Sequence, residues 1–343
     1  MRKTAIASLL LLTACATGGD RVTSQIDALM LDYTGDVPGA SVLVVKDGVA
    51  TKRAYGLANV EDRIRATPAT NYRLASVTKQ FTAASVLLLA EEGRLNLDDP
   101  VRKWLPTLPA AADAVTIRHL LTHTSGLVDY EDVIPAGTTT QLRDADVLRL
   151  LESQQRTYFV PGTGYQYSNS GYALLALIIE KVSSQSFASF LRTRIFQPLG
   201  MRNTVAFEDG TSVVANRAFG HSLKDGAWMR TDQSTTSAVL GDGGIYSSVD
   251  DLAKWDAALY DDRLLRPESL RSAFTPQTKT DDPKVAYGFG WRITGDSVWH
   301  TGETIGFRNA LVRFPERRLT VIVLTNRNAP PPYPIALKIA EMY

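Results

Sequence analysis

The chain has 343 residues, of which 44% are hydrophobic and 21% are charged. This length and composition indicate a globular protein with one large core or two packed lobes, and they exclude a mainly disordered chain. Its 37 basic and 36 acidic residues nearly balance without a run of like charge, so nothing in the composition points to a nucleic-acid partner.

Residues 1–14 have the features of an export signal. Arg2 and Lys3 precede an apolar stretch that ends at Leu12 and is too short to span a bilayer. The tetrapeptide of residues 12–15 resembles the lipobox of bacterial lipoproteins. That resemblance implies cleavage before Cys15 and lipidation of its thiol, which would anchor the protein in the bacterial cell envelope, facing the periplasm or the exterior. The alternative is an ordinary secretory signal with an incidental cysteine.

The sequence predicts one domain after this signal. Residues 15–21 are predicted to be a short tether and residues 22–343 a single domain. Cys15 is the one cysteine of the sequence, so no internal disulfide can form.

An amphipathic helix and a hairpin are predicted at the start of the domain. Apolar residues from Val22 to Tyr33 recur at helical spacing. A β-rich run at 40–45, the tight-turn pair Asp47-Gly48 and a return over 49–57 then predict two paired strands.

The stretch from residue 76 to about residue 200 is predicted to be mainly helical. A buried helix is expected from Ser76 to about Glu92, with Gly93 as its C-terminal stop. The other predicted helices are a short one that begins at 98–100, one that Thr116 caps and that runs through His123, and two with clear 3.6-residue periodicity at 142–153 and 172–182.

Strands return towards the end of the chain. Ser248 and Asp251 predict a capping box for a helix that ends near Leu259. The strands that follow are predicted at 287–293, 297–300, 307–314 and 319–325, and a proline cluster at 330–334 leads into a terminal helix. The sequence therefore predicts an α+β fold, with one antiparallel sheet built from both chain ends, helices flanking it, and a mostly helical lobe at roughly 76–200 inserted between the strands.

The first chemical motif is Ser76-Val77-Thr78-Lys79, at the start of the predicted buried helix. A lysine one turn after a serine lies on the same helix face, where its amine can take the serine proton. Partial desolvation would favour the neutral amine, and the N–H groups of the helix start would stabilise an anion beside Ser76. The alternative is a capping serine followed by a solvated lysine, because about one S-x-x-K is expected by chance in a chain of this length.

Two later motifs supply the parts that the first one lacks. Tyr167-Ser168-Asn169 follows a polar turn, where Tyr167 can pass protons to a leaving group and Asn169 can orient Lys79. His300-Thr301-Gly302 ends a predicted strand, and Gly302 lets a substrate approach the backbone closely. Taken singly, Tyr167 is better explained by packing and His300 by a structural role, but chance does not easily place all three motifs in this order.

In these motifs the chain resembles the serine β-lactamase and penicillin-binding superfamily, and most closely its class C β-lactamase-like branch. That branch includes class C β-lactamases, family VIII-type esterases and D-amino-acid-specific peptidases. The resemblance covers residues from about 24 to 343 and includes the stretches at 72–75, 119–127, 198–201 and 243–247.

The resemblance implies a role for each residue of the three motifs. Ser76 would form a covalent acyl-enzyme, and Lys79 and Tyr167 would share the duties of general base and acid. The backbone N–H groups of Ser76 and Glu303 would form the oxyanion hole. Asn169 would contact the substrate amide, and His300 with Thr301 would line the opposite wall beside Gly302. No metal ion or organic cofactor is implied.

One departure from the family pattern bears on the substrate. Many β-lactamases and penicillin-binding proteins have Lys-Thr-Gly at the third motif, and the lysine helps to hold a substrate carboxylate. A histidine with an ordinary pKa near 6.5 is charged in only about a quarter of molecules at pH 7, and Glu303 adds an acid. We therefore expect a hydrolase of small esters, amides or D-amino-acid peptides, cell-wall fragments among them. The alternatives are a class C-type β-lactamase or D,D-carboxypeptidase, and a penicillin- or peptidoglycan-binding module without turnover.

Other kinds of site have weaker support in the sequence. His119 and His123 are four residues apart, as metal ligands on one helix face would be, but H-E-x-x-H is absent. The glycines at 241–244 fit neither G-x-G-x-x-G nor a Walker A loop. The absence of G-x-S-x-G argues against an α/β-hydrolase.

Overall fold

The computed structural model describes residues 18–343, and their side chains from residue 21 onward. The signal peptide predicted at 1–14 and the lipidation predicted at Cys15 lie outside the described residues. The first helix begins at Gly18, inside the 15–21 stretch that the sequence analysis assigned to a tether.

The described part of the chain contains ten α-helices and fifteen strands, numbered in chain order. The helices are α1 (Gly18–Leu29), α2 (Lys79–Glu91), α3 (Ile117–Leu121), α4 (Asp144–Glu152), α5 (Asn169–Ser183), α6 (Phe187–Leu191), α7 (Leu240–Gly243), α8 (Val249–Ala258), α9 (Pro267–Phe274) and α10 (Tyr333–Ala340). The strands are β1 (Ala40–Lys46), β2 (Val49–Tyr55), β3 (Leu57–Asn59), β4 (Ile64–Arg65), β5 (Tyr72–Arg73), β6 (Val205–Ala206), β7 (His221–Lys224), β8 (Ala227–Arg230), β9 (Ile245–Ser247), β10 (Thr278–Lys279), β11 (Ala286–Tyr287), β12 (Arg292–Thr294), β13 (Ser297–Thr304), β14 (Phe307–Phe314) and β15 (Leu319–Thr325).

One large antiparallel sheet joins the two ends of the chain. Its strands follow the order β10-β11-β12-β13-β14-β15-β1-β2. Strand β1 pairs with β15 so that Ala40 lies opposite Thr325, and it pairs with β2 on its other side. The prediction of an antiparallel sheet built from both chain ends is therefore confirmed.

The two faces of this sheet bury different sets of side chains. Because side chains alternate along a strand, Val42 and Val44 of β1 face one way and Leu43 faces the other. The two valines belong to a core cluster with Ile26 of α1 and Ile339 of α10. Leu43 belongs to the larger core, which also holds residues of α2, α5 and α8. The first and last helices thus cover one face, as predicted.

Helices α2 to α6 lie between β5 and β6 in the chain and supply most of the larger core. Ser168 caps α5, since its hydroxyl accepts a hydrogen bond from the Gly171 N–H at 3.2 Å. Outside this helical block, α8 is fixed to the sheet by a buried ion pair in which Arg313 Nε donates to Asp256 Oδ1 at 2.6 Å.

The helix predicted from residue 76 is two elements. Ala75–Thr78 form a 3₁₀ turn, and α2 begins only at Lys79. The reason is Ala75, whose φ of 49° lies in the left-handed region and turns the chain sharply before the serine. The helix predicted to run through His123 ends at Leu121 for a similar reason, since His123 has a φ of 58°.

Three smaller expectations also need correction. The strand predicted at 287–293 is broken into β11 and β12, because Gly290 has a φ of 79° and packs so closely that a Cβ there would lie 2.7 Å from the Lys79 carbonyl oxygen. The helix expected at 98–100 is a 3₁₀ turn, Val101–Lys103. Ser248 caps α8 as expected. The Asp251 carboxylate accepts hydrogen bonds from Asn203 and Thr204 and does not complete the predicted capping box.

Within residues 18–343, no single helix has the length and apolar character needed to cross a membrane. Two consecutive helical segments, Asn169–Ser183 and Phe187–Phe196, reach that length only in combination, and they are bent by 75°.

Candidate active site

Ser76 lies in the tight turn between β5 and α2, directly under strand β13. Its neighbour Ala75 holds a left-handed conformation that costs a residue with a Cβ about 1–2 kcal/mol. Gly302 of β13 packs on the same turn, and a Cβ at this position would lie 2.0 Å from the Leu74 carbonyl oxygen. Only glycine fits at 302, because the strand approaches the backbone of the serine turn so closely.

Lys79 is fully buried and points back at Ser76. Its Nζ donates to Ser76 Oγ at 3.1 Å, to Asn169 Oδ1 at 2.8 Å and to the Asp242 carbonyl oxygen at 3.0 Å. These three acceptors match the three N–H groups of an ammonium. A neutral amine that keeps the bonds to Asn169 and Asp242 has its lone pair left for the Ser76 hydroxyl, which is the arrangement a general base requires.

Asn169 is the first residue of α5, and its side-chain amide is held at both ends. Its Oδ1 accepts from Lys79, and its Nδ2 donates to Glu131 Oε1 at 3.0 Å. The backbone N–H of Asn169 donates to Asp129 Oδ2 at 2.6 Å. These contacts fix the amide with its oxygen towards the lysine.

Tyr167 reaches the site with its ring. The Lys79 Nζ lies 5.0 Å from the ring centroid, within the range of a cation–π contact. The Tyr167 hydroxyl is buried, and no atom between residues 18 and 343 hydrogen-bonds to it. The structure thus brings Tyr167 beside the lysine without a direct hydrogen bond from its hydroxyl to Ser76.

His300 is buried behind the cleft as a neutral ring. Its Nδ1 lies 2.6 Å from the Thr301 carbonyl oxygen, which can only accept, so Nδ1 carries the hydrogen. Nε2 therefore accepts from the Tyr287 hydroxyl at 3.0 Å. Burial, and after it the positive charge of Arg292, hold the pKa of His300 well below its ordinary value. His300 consequently supplies no positive charge to the cleft.

A small cavity of about 50 Å³ opens beside Ser76. Its lining residues come from β5 and the serine turn, the 3₁₀ turn Tyr130–Val133, the start of α5, α7 with the segment before it, and β13. They are Arg73, Ala75, Ser76, Tyr130, Glu131, Asn169, Thr236, Asp242, Gly243, Glu303 and Thr304. Ser76 and Glu303, which the sequence analysis expected to form the oxyanion hole, border this cavity together. His300, Thr301 and Gly302, which were expected to line the opposite wall, are not among its lining residues.

Two acidic residues of this cavity, Glu131 and Asp242, were missed by the sequence analysis. Tyr130 donates to Asp242 Oδ2 at 3.1 Å. Burial raises the pKa of Asp242 to about 7, although the Lys79 charge opposes the shift. Desolvation, followed by the charge of Asp129, raises the pKa of Glu131. Two signals in the sequence could have indicated them: the acidic run at 129–132 and the single acid within the glycine-rich stretch 241–244.

The residues of the alternative sites considered from sequence lie in other surroundings. Among residues 18–343, no three His, Cys, Asp or Glu side chains are placed to hold a metal ion. His119 and His123 share no helix face, because α3 ends at Leu121. Gly241 belongs to α7, where a Cβ would lie 2.2 Å from the Tyr172 carbonyl oxygen, so this glycine serves packing against α5.

Comparisons with known proteins agree with this fold. The family model described as Beta-lactamase matches residues 20–341. Penicillin-binding protein 4* of Bacillus subtilis (strain 168) is 34% identical over 322 residues, which cover 88% of this chain and 71% of that protein. A D-aminopeptidase of Gluconobacter oxydans (strain 621H) is 32% identical over 324 residues, which cover 89% of this chain and 58% of that protein.

A solved structure extends the likeness to three dimensions. D-amino acid amidase from Ochrobactrum anthropi SV3, complexed with L-phenylalanine amide, superposes with a TM-score of 0.82 at 25% identity. The match covers 94% of this chain and 98% of the amidase. By contrast, the chain spans less than two thirds of the length of the D-aminopeptidase.

Proposed function

Since the chain belongs to the Beta-lactamase family of serine hydrolases, we propose that it hydrolyses small esters and amides through an acyl-enzyme on Ser76. The observation that carries this proposal is the contact between Lys79 Nζ and Ser76 Oγ. A buried amine at this distance can take the hydroxyl proton as the oxygen attacks. The ammonium formed is then stabilised by Ser76, Asn169 and Asp242, whose acceptors are already in place.

The reaction proceeds in two steps. Ser76 Oγ attacks the substrate carbonyl carbon, its proton passes to Lys79, and the N–H groups of Ser76 and Glu303 stabilise the oxyanion. The bond to the leaving group breaks as that group takes up a proton, which Tyr167 supplies. Tyr167 recovers a proton from the Lys79 ammonium. In the second step water attacks the acyl ester and gives its proton to the neutral Lys79, which passes it to Ser76 Oγ as the ester bond breaks and the acid is released.

The preferred substrates in this proposal are amides or esters of amino acids that carry a free amine. The carboxylates of Glu131 and Asp242 border the cavity, whereas His300 offers no charge to hold a substrate carboxylate. Glu303 also borders the cavity but pairs with Arg308 at 3.3 Å. The D-aminopeptidase and the D-amino acid amidase similar to this chain have names that fit such substrates.

A panel assay tests the proposal. Wild type and Ser76→Ala are compared on p-nitrophenyl esters, D- and L-amino acid amides, and nitrocefin, and a fluorophosphonate adduct is located by mass spectrometry. We expect ester and D-amino acid amide turnover that depends on Ser76, and an adduct on Ser76. Full activity in Ser76→Ala, or an adduct elsewhere, contradicts the nucleophile. Nitrocefin turnover far above ester turnover favours a β-lactamase, and a stable penicillin adduct without turnover of any substrate favours a binding module.

We also propose that the protein is anchored in the cell envelope by a lipid on Cys15. The support is the order of the N-terminal residues: two basic residues, an apolar stretch and the lipobox-like tetrapeptide. Cells that express wild type should incorporate labelled palmitate into the protein, and cells that express Cys15→Ser should not. Equal labelling of the two, or no labelling of wild type, contradicts the anchor.

A further inference from the structure

His123 sits at the centre of the aromatic cluster beside Lys79. It follows α3 directly, is 1% exposed, and has a φ of 58°. The left-handed region disfavours residues with a Cβ, and glycine would adopt it without cost. A histidine held there and buried indicates that its side chain is needed at that point.

The polar atoms of His123 hold the backbone on both sides of Tyr167. Its carbonyl oxygen accepts from the Gln166 N–H at 3.0 Å, and its Nδ1 accepts from the Ser168 N–H at 3.0 Å. A backbone N–H can only donate, so Nδ1 has a free lone pair and the hydrogen of the neutral ring is on Nε2. Burial and then the charge of Lys79 lower the pKa of His123 well below its ordinary value, which keeps the ring in this form.

The imidazole also sets the plane of the Tyr167 ring. The two ring centroids are 4.3 Å apart, with an angle of 33° between the planes. On its other sides the imidazole contacts the rings of Tyr172 and Tyr287, at 5.2 and 4.5 Å. His123 Nε2 has no hydrogen-bond partner in the part of the chain that the structure describes. Its contribution therefore comes from Nδ1 and from the ring face.

We infer that His123 is a positioning residue that holds Tyr167 in place to protonate the leaving group. This inference rests on the proposed function. The Tyr167 hydroxyl has no hydrogen-bond partner within residues 18–343, so the position of the side chain depends on the peptide groups of Gln166 and Ser168 and on ring packing. His123 supplies the hydrogen bonds to these peptide groups and a ring that packs on Tyr167. It makes no hydrogen bond to Lys79 or Ser76.

If His123 positions Tyr167, its replacement should slow the hydrolysis of substrates whose leaving group needs a proton more than that of substrates whose leaving group does not. A residue that only supports the fold would affect both kinds of substrate alike. An amide leaves as a strongly basic amine and needs a proton, whereas p-nitrophenolate leaves without one. His123→Phe keeps a ring and removes the Nδ1 acceptor. It should lower kcat on a D-amino acid amide by about 100-fold, which is the loss expected when a catalytic group is misplaced by a small distance. It should lower kcat on the matching p-nitrophenyl ester much less. KM for the amide should change little.

Three further variants complete the experiment. His123→Asn places an amide oxygen near the position of Nδ1, so it should recover part of the amide activity and serves if His123→Phe does not fold. In a Tyr167→Phe background, His123→Phe should cause no further change in the ratio of amide to ester rates. His221→Phe replaces another fully buried histidine, one that faces Glu61, and should leave that ratio unchanged.

The inference would be overturned if the folded His123 variants lost kcat equally on the amide and the ester. It would also be overturned if His123→Phe and Tyr167→Phe changed the ratio of amide to ester rates additively. These outcomes differ from a failure of the proposed function. In that case wild type itself would show no Ser76-dependent turnover, whereas an error about His123 leaves the contrast between wild type and Ser76→Ala intact.

Discussion

The hydroxyl of Tyr287 donates a hydrogen bond to Nε2 of His300 at 3.0 Å. This bond is available only to an unprotonated Nε2. Burial, and after it the positive charge of Arg292, lower the pKa of His300 well below its ordinary value. The histidine of the third motif is thus kept neutral by its surroundings.

The first prediction follows from this contact. The NMR signals of His300 should not titrate between pH 5 and pH 8, because protonation would require loss of the bond from Tyr287 in a buried site. Tyr287→Phe removes a hydrogen bond to the neutral form, so the pKa should rise towards its ordinary value. The signals are assigned with His300→Gln. A wild-type His300 that titrates near pH 6.5 would show that the ring is not held neutral.

The second prediction concerns the base. Lys79→Arg should lower kcat on p-nitrophenyl esters by about a thousandfold or more, since arginine cannot give up its proton. Circular dichroism checks folding, because the side chain is fully buried. Ser76→Ala gives the background rate. Turnover near that of wild type in Lys79→Arg would remove the lysine from the role of base.

The third prediction links Asp242 to pH. Its pKa of about 7 makes it neutral below and anionic above that pH, so preference for a cationic substrate should increase as pH rises through about 7. The probes are the p-nitrophenyl esters of trimethylammonioacetate and of its uncharged isostere, tert-butylacetate. The ratio of their kcat/KM values should rise about fivefold, which corresponds to a charge interaction of about 1 kcal/mol. Asp242→Asn should flatten the ratio, and an unchanged rise in that variant would exclude Asp242 as its source.

The fourth prediction concerns stability away from the site. Asp256 and Arg313 form an ion pair whose side chains are 2% and 0% exposed, and the Thr320 hydroxyl also donates to Asp256 at 2.7 Å. Asp256→Ala leaves a buried guanidinium without its counter-charge and should cost about 3–5 kcal/mol in urea unfolding. The matched control is Glu268→Ala, which removes the exposed ion pair with Arg271 and should not shift the unfolding midpoint. Equal stability of the two variants would contradict the buried-pair argument.

The large elements of the fold could be read from the sequence because their signals are local. Continuous runs of β-forming, largely apolar residues predicted β1, β14 and β15, and strands at both chain ends implied a shared sheet. The interruptions within predicted strands and helices could not be predicted, because they are caused by close approaches between segments that are distant in sequence. Gly290 interrupts its strand where it meets the Lys79 backbone, and Ala75 adopts a left-handed turn that its residue type does not signal.

The candidate site could likewise be predicted from sequence only where its residues belong to local motifs. Ser76, Lys79 and Asn169 belong to motifs whose spacing expresses their function, and the structure places them within hydrogen-bonding distance of one another through Lys79. Glu131 and Asp242 belong to no such motif. They face Ser76 only because the loop before α5 and the turn at α7 fold against the serine turn, and a single sequence does not encode that approach in any local pattern.

The pairing of β1 with β15 has a consequence for the order in which the protein can fold. Strand β1 is made before its partner β15, which aligns Thr325 with Ala40 and follows β2–β14 in the chain. Until then β1 has only the β2 hairpin, and an isolated two-stranded hairpin is marginally stable in water. Contacts of such sequence separation also make folding slow. Nascent or C-terminally truncated chains should therefore remain open to chaperones and proteases, and a stop codon before β15 should abolish the folded protein rather than shorten it.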